Sequence, residues 1–370
     1  MRRLSAPIRS VFQKFGNRKQ SPDPAKRSRD RQGAVVVALL LTLSLSPAAW
    51  AQRNNATPET ATPLFRTGVS DVRVDVQVTE DNRPVKGLTA GDFKITDNGQ
   101  PQNIVYFAQE REPLALLLLL DVSGSMREHI EQMATTALRA LEFLTPGDRV
   151  AIMVFGRRTA VHTEFTDNLA EAARQISSAV EERRVGAGTN INPSVLDAAN
   201  YVDEKVNQRW RRAILMVTDN LGINYKSPDD VVVGRLLSAD IVFNAIVVGR
   251  GIRPGVPRVG QYENPDFTPA DVFKFAEWTG GDAVKTGDRI PFAEMIEKIR
   301  DRYTIEYHAP ESKPREFRRI AVSLTDAARM RHQNAQVHAR NGYFAASVPG
   351  GTSSGTTSSS ITSSGVNSGL

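Results

Sequence analysis

The stretch 113-PLALLLLLDVSGSM-126 decides the reading of this chain. Leu114 to Leu120 is an unbroken apolar run, and a strand that is apolar on both sides belongs in a parallel sheet covered by helices on both faces. Three further runs have the same character: VAIMVF (150–155), AILMV (213–217) and IVFNAIVV (241–248). Between them apolar residues recur at helical spacing. One set is Ile130, Met133, Ala137, Leu138, Leu141 and Leu144, and a second is Leu169, Ala172, Ile176 and Ala179. The third, Leu196, Ala199, Val202 and Val206, follows Asn192-Pro193, which reads as a cap with proline in the first turn. Strand alternating with helix predicts a doubly wound α/β domain with a mostly parallel, Rossmann-like sheet over residues 113–302.

The first strand of that sheet runs into DVSGSM. Asp121, Ser123 and Ser125 thus stand at the carboxyl end of a buried strand, the edge where open α/β sheets bind ligands. One carboxylate and two hydroxyls on a tight turn suit a hard divalent cation that takes oxygen ligands and keeps several waters. GAGTN places Thr189 in a glycine-rich loop, and MVTDN places Asp219 at the end of another buried strand, both on the same edge. Ser125 with Glu128 also fits a helix capping box, the plainer role for this serine.

With these five positions in order, the chain resembles the von Willebrand factor A domain and its metal-ion-dependent adhesion site. The resemblance implies that Ser123, Ser125 and Thr189 touch the metal directly, while Asp121 and Asp219 act through metal-bound water. It implies one ion, Mg²⁺ or else Mn²⁺ or Ca²⁺, and a protein partner that offers it a carboxylate. The flanking segments, VKGLTAGDFKITDNGQPQNIVYF before the domain and ARNGYF after it, look like a group of exported bacterial proteins abundant in acidobacteria.

Those flanks carry β signals of their own. Val72, Val74, Val76 and Val78 alternate with polar residues, and Asn98-Gly99 marks a hairpin turn between two apolar runs. The N-terminal β segment therefore spans 66–112. A C-terminal one, 303–345, shows the same alternation at Tyr303, Ile305 and Tyr307 and at Ile320, Val322 and Leu324. The two segments are expected to pair into one β-sandwich around the inserted α/β domain. Residues 346–370 are almost all Ser, Thr and Gly and read as a tail unable to bury a core.

At the other end, basic residues up to Arg31, the apolar AVVVALLLTLSLS and then PAAWA have the order of an export signal cleaved after Ala51, with a polar linker over 52–65. The alternative is an uncleaved membrane anchor, but the apolar core falls short of the roughly 20 residues a spanning helix needs, so cleavage is favoured and no stable membrane span is expected after it. The expected location is periplasmic, cell-surface or secreted.

The formal charge of the 370-residue chain is +6, but residues 1–33 hold +8 of it and residues 52–370 sum to −2. A faintly acidic body removes the main support for a nucleic-acid partner, and the basic patches at 183–185 and 209–212 read as solvated faces or strand lead-ins. The absence of cysteine excludes disulfide scaffolds and thiolate metal sites. The five histidines are scattered, without a zinc-protease spacing. The expected function is therefore a non-enzymatic, metal-dependent binding module for adhesion or complex assembly. The alternative is a metal-free extracytoplasmic scaffold. A hydrolase using Ser123 or Ser125 ranks third, because no matched base or oxyanion loop is visible.

Overall fold

The computed structural model describes residues 71–109, 112–222, 227–249, 251, 270–287 and 290–346, all within one compact unit that begins at Phe65. The expected leader, linker and Ser/Thr/Gly tail lie outside the described residues. Strands β1 (Asp71–Glu80), β2 (Arg83–Pro84), β3 (Phe93–Asp97), β4 (Gln100–Gln102) and β5 (Ile104–Gln109) come first. The α/β domain follows: β6 (Leu114–Asp121), α1 (Arg127–Leu141), β7 (Arg149–Phe155), β8 (Thr159–Thr166), α2 (Leu169–Ala179), α3 (Ile191–Lys205), β9 (Arg211–Thr218), α4 (Asp229–Ser238), β10 (Ile241–Val247), α5 (Val272–Thr279), β11 (Ala283–Lys285) and α6 (Phe292–Arg300). The chain closes with β12 (Tyr303–His308), β13 (Phe317–Leu324), α7 (Asp326–Arg331), β14 (Gln336–His338) and β15 (Gly342–Phe344).

The leucine run forms the middle of a six-stranded sheet ordered β11-β10-β9-β6-β7-β8. Every pairing is parallel except β7 with β8. Because successive side chains of a strand point to opposite faces, β6 feeds two cores at once. Leu114, Leu116, Leu118 and Leu120 pack beneath α1, α2 and α6. Ala115, Leu117 and Leu119 pack on the other face with α3, α4 and α5. Each fully buried leucine contributes about 1.5–3 kcal/mol, so this one strand anchors both layers. From β6 the chain first builds outward through β7 and β8, then returns to add β9, β10 and β11 on the other side. The topological switch, where α/β sheets leave a crevice at their carboxyl edge, falls between β6 and β9.

The flanking segments interleave. β12, from after the α/β domain, lies between β1 and β5, from before it, and β13 pairs with β3. The resulting antiparallel sheets, β14-β1-β12-β5 with β2 attached and β15-β13-β3-β4, share one apolar core of Val72, Val74, Val76, Ile95, Tyr303, Ile305 and their neighbours. Neither segment could form these sheets alone. Asn98 and Gly99, both at positive φ (49° and 82°), make the tight β3–β4 turn that the sequence predicts.

The structure refines three local readings. The polar positions of β1 are unequal: Asp71 is exposed, whereas Gln77 is buried and donates to the Lys298 carbonyl of α6 at 3.2 Å, and half-buried Asp75 pairs with Arg211 at 3.5 Å. Of the two roles open to the basic patch at 209–212, strand lead-in is the one seen: β9 begins at Arg211, where Arg211 and Arg212 are buried, while Arg209 before it is exposed. Arg211 donates to the carbonyls of Ile299 and Arg300 at the end of α6, and Arg212 to those of Val206 and Ala239 after α3 and α4. Buried helix C-termini need such donors, and cations there also meet the negative end of the helix dipole. Finally, the N-cap position of α3 is Asn190, not Asn192, and no side chain caps the helix there. Asn192 lies inside the first turn and donates to the Ser227 carbonyl and to Asp229, both at 2.7 Å. Pro193 is tolerated there because first-turn N–H groups have no helical acceptor.

Candidate functional site

The parallel register sets the carboxyl ends of the central strands side by side. Asp121 of β6 lies opposite Phe155 of β7, Leu120 opposite Val217 of β9, and Thr218 opposite Val247 of β10. The turn after β6 and the turn after β9 therefore emerge together at the switch point. The first is a short 3-10 turn, Gly124–Met126, leading into α1. The second bends through Asn220 at φ 53°, a left-handed position that asparagine tolerates better than most residues.

Four of the five expected residues are joined by hydrogen bonds here. Asp121 is fully buried. One carboxylate oxygen accepts the Ser123 backbone N–H at 3.0 Å and the other accepts the Thr218 hydroxyl at 2.8 Å. The Ser123 and Ser125 hydroxyls lie 3.3 Å apart, and Ser125 donates to Asp219 at 2.6 Å. The other oxygen of Asp219 accepts the Leu221 N–H at 3.1 Å. Ser125 thus reaches across to the neighbouring strand end. It does not cap α1, whose N-cap position is Met126.

Thr189, half-buried, reaches the same edge through its backbone. The Asn190 N–H donates to the Gly156 carbonyl at 2.9 Å, just beyond the end of β7. A Cβ on Gly222, three residues after Asp219, would come within 2.6 Å of the Thr189 carbonyl, so only glycine permits this approach. Gly251 closes the other side, where a Cβ would stand 2.1 Å from the Asp219 carbonyl. The residue that sequence reasoning missed is Thr218. As a β-branched residue ending a strand it reads as a sheet former, and only the fold shows its hydroxyl holding Asp121.

Burial pushes the Asp121 carboxyl up to about 6, against the pull of the Ser123 N–H and the Thr218 hydroxyl, and the neighbouring Asp219 adds to the rise. Two carboxylates beside one another in a poorly solvated crevice are the setting in which a cation gives most. The donor set fits a hard divalent ion. Oxygens on adjacent corners of an octahedral Mg²⁺ shell stand about 3 Å apart, close to the separation of the two serine hydroxyls. Among the described residues no group of three or more His, Asp or Glu could hold a metal, so hydroxyls and water would have to complete any shell here.

Residues 116–222 match the von Willebrand factor type A domain. The match runs from β6 to Gly222 and takes in all five site positions. The central sheet, parallel except for its antiparallel edge strand, agrees with that fold. No curated protein matches the chain. Among solved structures, BatB from Bacteroides thetaiotaomicron is 17% identical, with 50% of this chain and 96% of that one covered and a TM-score of 0.38. A von Willebrand factor type A protein from Catenulispora acidiphila is 12% identical over 74% of this chain and 73% of its own, with a TM-score of 0.36. The A-like fold rests on the family match and the topology, not on these superpositions. No helix among the described residues is long and apolar enough to cross a membrane.

Proposed function

We propose that the A-like domain is an exported protein-binding module that holds one divalent cation at the β6–β9 crevice and uses it to capture a carboxylate of a protein partner. The observation that carries this reading is the convergence of Ser123, Ser125 and Asp219 above a buried, doubly hydrogen-bonded Asp121. Ser123, Ser125 and Thr189 are the residues that would touch the ion. Asp121 and Asp219 would position its water and balance its charge. When bound, the ion supplies a Lewis-acidic point that few anionic ligands neutralise, so a partner's carboxylate gains strongly from meeting it. Mg²⁺ is the first choice, with Mn²⁺ and Ca²⁺ accepting the same oxygen donors. Among the described residues neither serine is hydrogen-bonded to a histidine, and this favours binding over serine-dependent hydrolysis.

The reading is tested with a peptide carrying a single glutamate. In the presence of Mg²⁺ it should raise the unfolding midpoint of the protein beyond the effect of the metal. A glutamine peptide, or the double variant Ser123→Ala/Ser125→Ala, should show no such increment. An equal increment in EDTA would contradict the proposal.

A further inference from the structure

The pairs Arg157-Arg158 and Arg183-Arg184 belong to different connections, yet the fold seats them together beside the metal turn. The Arg157 N–H donates to the Gly186 carbonyl at 3.4 Å, and the Arg158 N–H to the Val185 carbonyl at 2.9 Å. The two backbones touch so closely that a Cβ on Gly156 would lie 2.4 Å from the Gly186 carbonyl. Gly186 and Gly188, at φ 71° and 114°, fold the loop over the root of Arg157, whose Cβ lies 3.7 and 4.0 Å from their Cβ positions. The same junction reaches the site on two sides. Phe155, just before Gly156, accepts the Val122 N–H at 3.0 Å, and Asn190, just after Thr189, donates its side-chain amide to the Arg157 carbonyl at 2.9 Å.

All four arginines are exposed. Arg184 is spent on Glu182, which it grips with two donors at 2.9 and 2.6 Å. That grip holds the Glu182 carboxyl down at about 2. Asp197 of α3 accepts the hydroxyl of Thr159, the residue after Arg158. Arg157, Arg158 and Arg183 make no ion pair among the described residues. Three unneutralised guanidinium groups on a glycine-pinned backbone thus stand at the rim of a crevice already read as a carboxylate receptor. Guanidinium forks match carboxylates two donors at a time, and such charges speed the approach of an oppositely charged partner.

We propose that Arg157, Arg158 and Arg183 form a cationic shelf that reads a run of carboxylates next to the metal-bound one, so that the partner presents an acidic polypeptide segment rather than an isolated Asp or Glu. This deepens the function proposed above and rests on it. The loops at 156–158 and 183–188 contain no aromatic residue on which a base could stack, which favours an acidic polypeptide over a nucleic-acid strand.

Fluorescence anisotropy of a labelled poly-glutamate peptide, with the full chain in Mg²⁺, tests the shelf. The triple variant R157A/R158A/R183A should bind the peptide about tenfold more weakly near 0.01 M ionic strength, and the gap should close toward 0.15 M as the Debye length falls from about 30 to about 8 Å. A peptide with one glutamate among glycines and serines should bind both proteins alike. Equal affinity of the triple variant for poly-glutamate overturns the shelf, as does an oligonucleotide of equal charge binding as tightly as the peptide. Binding that needs the arginines but ignores EDTA and the Ser123→Ala/Ser125→Ala double variant supports the shelf and refutes the metal reading. Binding that needs metal but not the arginines does the reverse.

Discussion

Asp121 sits at the end of a strand that is otherwise all apolar, and its two oxygens are held by donors from two different elements, the Ser123 N–H and the Thr218 hydroxyl. A buried carboxylate without such donors would be driven to its neutral form. With them it is fixed in one orientation, facing the serine turn. Thr218→Val keeps the shape and removes one donor to a charged group, so it should cost about 1.5–3 kcal/mol of stability. It should also reduce the midpoint shift produced by Mg²⁺, although Thr218 is not among the five site residues, and thermal unfolding with and without the ion reads both effects. At this scale the sequence was informative where chemistry is concentrated. D-x-S-x-S stands out because polar residues are unexpected directly after seven apolar ones. Thr218 was illegible because its role depends on a partner 97 positions away. Asn192 misled as a cap because its amide is used between connections, on Ser227 and Asp229, and not on its own helix.

At the scale of elements, the apolar runs located β6, β7, β9 and β10, because a strand buried on both faces has no polar position to confuse its reading. The edge strand β8, TAVHTEFT, leaves no such trace, since it is half-exposed along its length. Leu138 fits the helical spacing of α1 yet is 53% exposed, a reminder that period alone sets a face only to within a residue. The sandwich strands were legible by their alternation, but not which sheet each would join. Part of that choice is enforced by Asp97 at the end of β3. Fully buried, it accepts Arg318 of β13 at 2.7 Å, Tyr307 of β12 at 2.8 Å and Tyr343 of β15 at 2.9 Å, and so ties both sheets together. Burial and this contact push the Tyr343 hydroxyl up to about 12. Asp97→Ala leaves Arg318 buried without its partner and should cost about 3–5 kcal/mol, measurable by urea unfolding. A loss below about 1 kcal/mol would show that the sheets are held by apolar packing alone.

Across the whole molecule, the interleaved flanks do more than tether the α/β domain. Gly280, at φ 79°, ends α5 where a Cβ would stand 2.4 Å from the Ala339 backbone, and the Asn341 N–H donates to the Trp278 carbonyl at 2.9 Å. Arg340 reaches Asp240 at 2.8 Å, and Lys298 of α6 reaches Asn82 of the N-terminal flank at 2.5 Å. At the centre of this junction lies Asp75. Burial alone would raise its carboxyl, but Arg211, Arg73 and Arg302, with the Thr304 hydroxyl, hold it below the usual range. A depressed folded value means that the stabilisation is complete above the unfolded value of about 3.9 and is lost as pH falls through the folded one. The junction should therefore weaken below about pH 4. Asp75→Asn should cost about 3–5 kcal/mol near neutral pH by leaving Arg211 uncompensated, and it should flatten the acid limb of the stability profile. An unchanged acid limb would place the sensitivity elsewhere. The pairing of the two flanks was foreseeable from their matching β character, whereas the arginine-rich junction was not, because a basic patch in sequence looks the same whether water or a carboxylate surrounds it.

The central claim is that the β6–β9 crevice holds a divalent ion. Its most direct test is the thermal unfolding of the protein in EDTA and then in Mg²⁺, Mn²⁺ and Ca²⁺, beside Asp121→Ala and Ser123→Ala/Ser125→Ala. An ion that binds only the folded state stabilises it by RT ln(1 + [L]/Kd), about 2.7 kcal/mol at a hundredfold excess over Kd. The predicted result is a metal-dependent rise of the midpoint that saturates and is absent from both variants. A midpoint that does not respond to any of the three ions, or that rises equally in the variants, would contradict the claim.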